Sequence, residues 1–157
     1  ALFEEMAVMG KVEIEARFEI EMDAYTLRIQ IESRVLGDIA GNHVVPTAVR
    51  YQNMLIENVK GLKEIFGKEF EKHASHQIQL IKNISEHIEM IQEKVDEMVN
   101  ARKKANSITN SVKKAEMYCA EVIPFFEEIR YHCDKLELMV DDELWPLTKY
   151  RELLFTR

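Results

Sequence analysis

The chain has 157 residues, 46% of them apolar and 31% charged. That balance belongs to a folded domain and excludes a disordered segment, and the length is that of about one domain with room for a sizeable core. With 28 acidic and 21 basic side chains the formal net charge is -7, which repels phosphate backbones and argues against nucleic acid as a partner.

Five glycines and three prolines are too few turn residues for an all-β chain, which needs a turn signal every few residues. The expectation is therefore an all-α fold. The longest uncharged run lies between Asp38 and Arg50, well short of the ~18 apolar residues that cross a bilayer. Neither a membrane span nor a signal peptide is read in the sequence. The chain opens on Ala1, inside an amphipathic pattern and not on Met, which reads as a piece of a larger protein.

From Lys11 to Leu36 two periodicities compete. Val12, Ile14, Ala16, Phe18, Ile20 and Met22 alternate with Glu, Arg and Asp, which is a strand signal. The intervening residues are mostly glutamate, a helix former depleted in strands, and no turn residue interrupts the stretch. The same residues form two helical stripes, Ile14-Phe18-Met22-Tyr25-Ile29 and Val12-Ala16-Ile20-Leu27-Ile31-Val35. The reading is a helix over 11–41 with two apolar faces.

Gly41-Asn42-His43-Val44-Val45-Pro46 predicts a break, since Gly and Asn suit a helix C-terminus and Pro the first turn of the next helix. A helix over 46–66 follows, carried by Val49, Leu55, Ile56, Val59, Leu62 and Phe66 and closed by Gly67.

The clearest pattern comes next. Ala74, Ile81, Ile84, Ile88, Ile91, Val95 and Met98, with Gln77 in one slot, make a heptad seam. Ile108, Val112, Ala115, Cys119, Val122, Phe126, Ile129, Cys133, Leu136 and Val140 make a second. They predict helices over 69–104 and 107–140, folded as a long antiparallel hairpin, with Asn106 or Ser107 capping the second. Pro124 falls inside that second helix and predicts a kink. Asp141-Asp142-Glu143-Leu144-Trp145-Pro146 is read as the start of a last helix over 143–155, with acids at its positive end. The whole predicts a single domain over 1–157, an antiparallel helical bundle.

Little catalytic chemistry is legible. His73 and His76 lie three apart on one helical face with Glu69 a turn earlier; a zinc site there would need further ligands from elsewhere. No histidine follows a glutamate by three residues, so the di-iron bundle motif is absent. No Gly-rich phosphate loop or nucleophile elbow is present. Cys119 and Cys133 are 14 residues apart, about 21 Å along one helix, too far to bridge. Their seam positions predict buried free thiols, which favours a reducing, cytoplasmic setting. His43, beside the expected break, is a candidate contact residue or one that satisfies local carbonyls. No catalytic, cofactor-binding or metal-binding residue is assigned.

Several runs carry a resemblance. Ile29-Gln30-Ile31-Glu32-Ser33-Arg34-Val35-Leu36-Gly37-Asp38, Asn42-His43-Val44-Val45-Pro46-Thr47-Ala48-Val49-Arg50-Tyr51-Gln52-Asn53, Leu55-Ile56-Glu57-Asn58-Val59 and the closing Leu144-Trp145-Pro146-Leu147-Thr148-Lys149-Tyr150 resemble the C-terminal region of type III glutamine synthetase. The resemblance implies a parent enzyme that makes glutamine from glutamate and ammonia, using ATP and a divalent metal such as Mg, in a large homo-oligomer. It implies that this chain is the non-catalytic helical domain of that enzyme, partnered by the catalytic region and by other subunits. No run matches the family's metal-binding glutamates or ATP contacts, so none is carried over. A free-standing helical-bundle interaction module is the alternative reading.

Overall fold

The computed structural model describes residues 10–155. Among them every regular element is helical and none is a strand. The alternating stretch Val12–Met22 lies within α1, Lys11–Ile39. The glutamates that spoke against a strand there are helix formers on a helix surface.

The expected break at Gly41–Pro46 is not a break. α1 passes through a π-helical turn, Ala40–Val44, into α2, Val45–Phe66, with helical backbone throughout. A proline at position 46 lacks an N–H and would press on the carbonyl four residues earlier in an ordinary helix. The wider turn resolves the conflict: the Val45 N–H bonds to the Ala40 carbonyl, five residues back. The device recurs on the third rod. α4, Ser111–Met117, passes through a second π-turn, Tyr118–Val122, into α5, Pro124–Met139. The Ile123 N–H bonds to the Tyr118 carbonyl at 3.1 Å. Each proline stands two residues beyond its π-turn.

Gly67 ends α2 with φ 56°, a conformation open to glycine and costly for any other residue. A short 3-10 turn, Gly67–Glu69, then reverses the chain into α3, Phe70–Asn106. α3 packs antiparallel on α2 and on α5, the predicted hairpin arrangement, and the start of α4 packs on α1. Gln52 ties α2 to α3 by donating to the Ile81 carbonyl at 3.0 Å and to Ser85 Oγ at 2.6 Å.

The heptad seam of α3 forms the spine of the core. Ile84, Ile91, Met98 and Ala105, each seven residues after the last, are fully buried against Ile129, Leu136, Val122 and Tyr118. At the α3–α4 turn the Tyr118 hydroxyl donates to Asn106 Oδ1 at 2.7 Å, and Gln30 of α1 reaches the same oxygen at 3.4 Å.

Three local expectations are corrected. The helix after the turn is capped by Asn110, whose side chain accepts from the Lys113 N–H at 3.0 Å, and not by Asn106 or Ser107. In the second seam Tyr118 takes the buried place expected for Cys119, which is exposed. The π-turn inserts a residue, so the seam steps from Ala115 to Tyr118 to Val122. The last helix, α6, is only Tyr150–Leu153. Before it, the Asp141 carboxylate accepts from the Glu143 N–H at 2.8 Å and holds a turn, and Pro146 disfavours helix at the residue before it.

Candidate functional site

The bundle covers one of the two stripes of α1. Ile29 is buried, and Ile14, Met22 and Tyr25 are half-buried on the inner side, while Phe18 of the same stripe stays half exposed. Val12, Ala16, Ile20, Ala24, Leu27, Ile31 and Val35 are all exposed. Val12 is 79% exposed and even Val35, the least exposed large member, is 50%. At about 100° per residue the two stripes lie on opposite sides of the helix, so covering one against α3 and α4 leaves the other in solvent. Scattered exposed leucines are ordinary, but a continuous apolar stripe is a site for contact with something else.

The stripe runs into a hollow of about 460 Å³ between α1 and α5, where Ile31, Val35, Leu36 and Ile39 face Phe126. Glu32 and Arg130 stand at its edge. A second hollow, of about 370 Å³, opens between α1 and α4, lined by Phe18, Met22 and Tyr25 on one side and Val112, Ala115 and Cys119 on the other. There a hydrogen bond with Cys119 holds the Tyr25 phenol above its ordinary pKa.

Two imidazoles converge between α3 and α5. His87 of α3 and His132 of α5 face each other with Nδ1 atoms 2.8 Å apart, and Tyr131 sets its ring edge-on to His132. One Nδ1 must donate and the other accept, so the contact is built for neutral rings or for one shared proton. Burial, first of all, pushes both imidazoles below the ordinary value. His132 and Lys135 lower His87 further while Glu86 opposes them, and Lys94 lowers His132 further while Glu128 opposes it. Sequence reasoning missed this pair because the two residues are 45 apart. The available signal was that each directly precedes a seam residue, Ile88 and Cys133, in helices expected to run antiparallel.

The histidines singled out in the sequence do not assemble a site. His73 stacks on Phe66 with ring centroids 4.1 Å apart. His76 and His43 are exposed, the latter on the π-turn. Among the described residues no three His, Cys, Asp or Glu side chains are placed to hold a metal ion. Glutamates and lysines instead pair along helix surfaces at three- and four-residue spacing, as in Glu13–Arg17 and Glu57–Lys60. Cys133 is half-buried, and desolvation raises its thiol to about 11, which leaves it a poor nucleophile. No described helix is long and apolar enough to cross a membrane.

Comparison with known proteins gives a consistent set of relatives. Residues 1–63 match the family described as the glutamine synthetase C-terminal domain. The chain is 49% identical to a glutamine synthetase of Bacteroides fragilis (strain YCH46) over 151 residues, 96% of this chain and 21% of that protein. It is 29% identical to a type-3 glutamine synthetase of Dictyostelium discoideum over 157 residues, 99% of this chain and 21% of that protein. The chain thus spans about a fifth of the length of the curated relatives it matches.

Proposed function

From the match of residues 1–63 to the glutamine synthetase C-terminal domain family and the similarity to two glutamine synthetases, we propose that the chain belongs to that family and is the non-catalytic helical domain of a type III glutamine synthetase. In this reading the complete polypeptide makes glutamine from glutamate and ammonia with ATP and a divalent metal such as Mg. This chain forms a single domain at its C-terminal end, assigns no residue to catalysis or metal binding, and serves in the cytoplasm by contacting the catalytic region and other subunits. The observation that carries the reading is similarity over 96% of the chain to a protein named for that activity.

The test separates the chain from the whole. The complete polypeptide should release phosphate from ATP in proportion to glutamine formed. The 157-residue chain should neither do so nor take up ATP in a calorimetric titration. Micromolar ATP binding by the chain alone would overturn the non-catalytic assignment, and a complete polypeptide with no glutamine-forming activity would overturn the enzyme assignment.

A further inference from the structure

We propose that the outward face of α1, from Val12 to Val35, is the surface on which the catalytic region of the same enzyme docks; this rests on the functional reading above and names the site through which it acts. The face is a property of the folded chain. Val12, Ala16, Ile20, Ala24, Leu27, Ile31 and Val35 are exposed, while the opposite stripe of the same helix is buried or half-buried except at Phe18. An apolar strip of 24 residues, about 35 Å long, is held in water, met among the described residues at its Ile31–Val35 end by Phe126 and Arg130 of α5.

The spacing of the strip selects the kind of partner. Its steps are four, four, four, three, four and four. Each step of four advances the strip by about 40° and a step of three sets it back by about 60°, so it winds around α1 by about 140° from end to end. A two-stranded coiled coil needs steps averaging 3.5, which keep the seam facing one partner helix. A second copy of α1 in an ordinary left-handed coiled coil therefore cannot follow this strip. A parallel copy would also set the acidic run Glu13, Glu15, Glu19, Glu21 and Asp23 against itself. A winding strip fits a broad, concave, folded surface.

The fold places a receptacle at one end of the strip. Ile31 and Val35 belong both to the strip and to the hollow between α1 and α5, floored by Leu36, Ile39 and Phe126. A bulky apolar side chain from the partner fills it, with Glu32 and Arg130 available at the edge for polar contacts. Near the other end the acidic run calls for lysine or arginine on the rim of the partner surface.

Two observations identify the occupant. The curated relatives are about five times as long as this chain, so on the functional reading above most of the polypeptide, its catalytic region included, lies outside these residues. The family match covers residues 1–63, which take in α1 with its whole outward face, and stops short of the α3–α5 hairpin.

The test uses the double variant Leu27→Glu/Ile31→Glu, with Ile65→Glu, a still more exposed isoleucine at the far end of α2, as control. In the chain alone the double variant should leave the melting temperature within about 2 °C, since both side chains are more than half exposed. In the complete polypeptide it should raise the rate of limited proteolysis between the catalytic region and this domain at least tenfold and remove hydrogen-exchange protection from α1, while Ile65→Glu does neither. Wild-type proteolysis and exchange in the complete double variant would overturn the proposal. So would a chain that dimerises alone through this face and loses the dimer on mutation, because the occupant would then be a second copy. Glutamine formation by the wild-type complete polypeptide is measured in parallel; its absence would sink the functional reading, whereas a docking failure with activity intact would sink only this proposal.

Discussion

Replacing Lys149 by methionine tests how the non-helical segment after α5 is held. Lys149 is 8% exposed. Its ammonium donates to the carbonyls of Glu137, at 2.8 Å, and Val140, at 3.2 Å, and to the Asp142 carboxylate. It also lies 5.8 Å from the centre of the Trp145 ring. The two carbonyls belong to the C-terminal end of α5, where the helix leaves acceptors without intrahelical donors and where a cation is favoured. Lys149→Met keeps most of the apolar stem and removes the ammonium. Hydrogen bonds to a charged donor contribute roughly 1.5–3 kcal/mol each. Water can reach the rim of this site, since Asp142 is 48% exposed, so the net loss should be about 2–3 kcal/mol rather than the full sum. For a chain of this size that lowers the melting temperature by roughly 5–10 °C. Asp142→Asn leaves the carbonyl contacts in place and should cost about 1 kcal/mol or less. Thermal denaturation followed by circular dichroism measures both. If Lys149→Met melts with the wild type, or if Asp142→Asn costs as much as Lys149→Met, the carbonyls are not what Lys149 holds.

Ile91→Ala should destabilise the chain by roughly 2–5 kcal/mol in urea, because the side chain is fully buried on the seam, while Glu89→Ala on the exposed side should move stability by about 0.5 kcal/mol or less; equal effects would place the seam elsewhere. The His87–His132 contact predicts a pH dependence with a defined sign. Both imidazoles are lowered in the fold, so the unfolded chain binds more protons, and the contribution is complete above about pH 6.5 and lost as pH falls through the folded values. Urea melts from pH 7.5 down to 5 should show falling stability, with a shallower slope in His132→Gln; an identical slope in that variant, or stability that rises on acidification, would contradict the geometry.

Much of the fold was legible because helical periodicity is a local property. The steps through Ile84, Ile91 and Met98 specify a buried line on one helix, and the residue type at Gly67 marks a reversal that few other residues could make. Local rules failed where two of them competed. The Gly41–Pro46 run signals an interruption, yet that rod continues, since a π-turn of five residues meets the proline's missing donor and its steric demand without ending the helix; Pro124, read as a kink inside a continuing helix, follows a turn of the same kind. Cys119 lost its expected buried place to Tyr118 for the same reason, as one added residue shifts the face presented to α3.

The sequence by itself determined an all-helical chain, a heptad hairpin and two apolar stripes on α1, because each follows from the order of side chains along one helix. Tertiary structure alone decided which stripe remains in water, that His87 meets His132, and that Lys149 closes the end of α5. Each of these depends on the register and rotation of one helix against another, which is set by the sum of packing over the whole bundle and is written in no single segment.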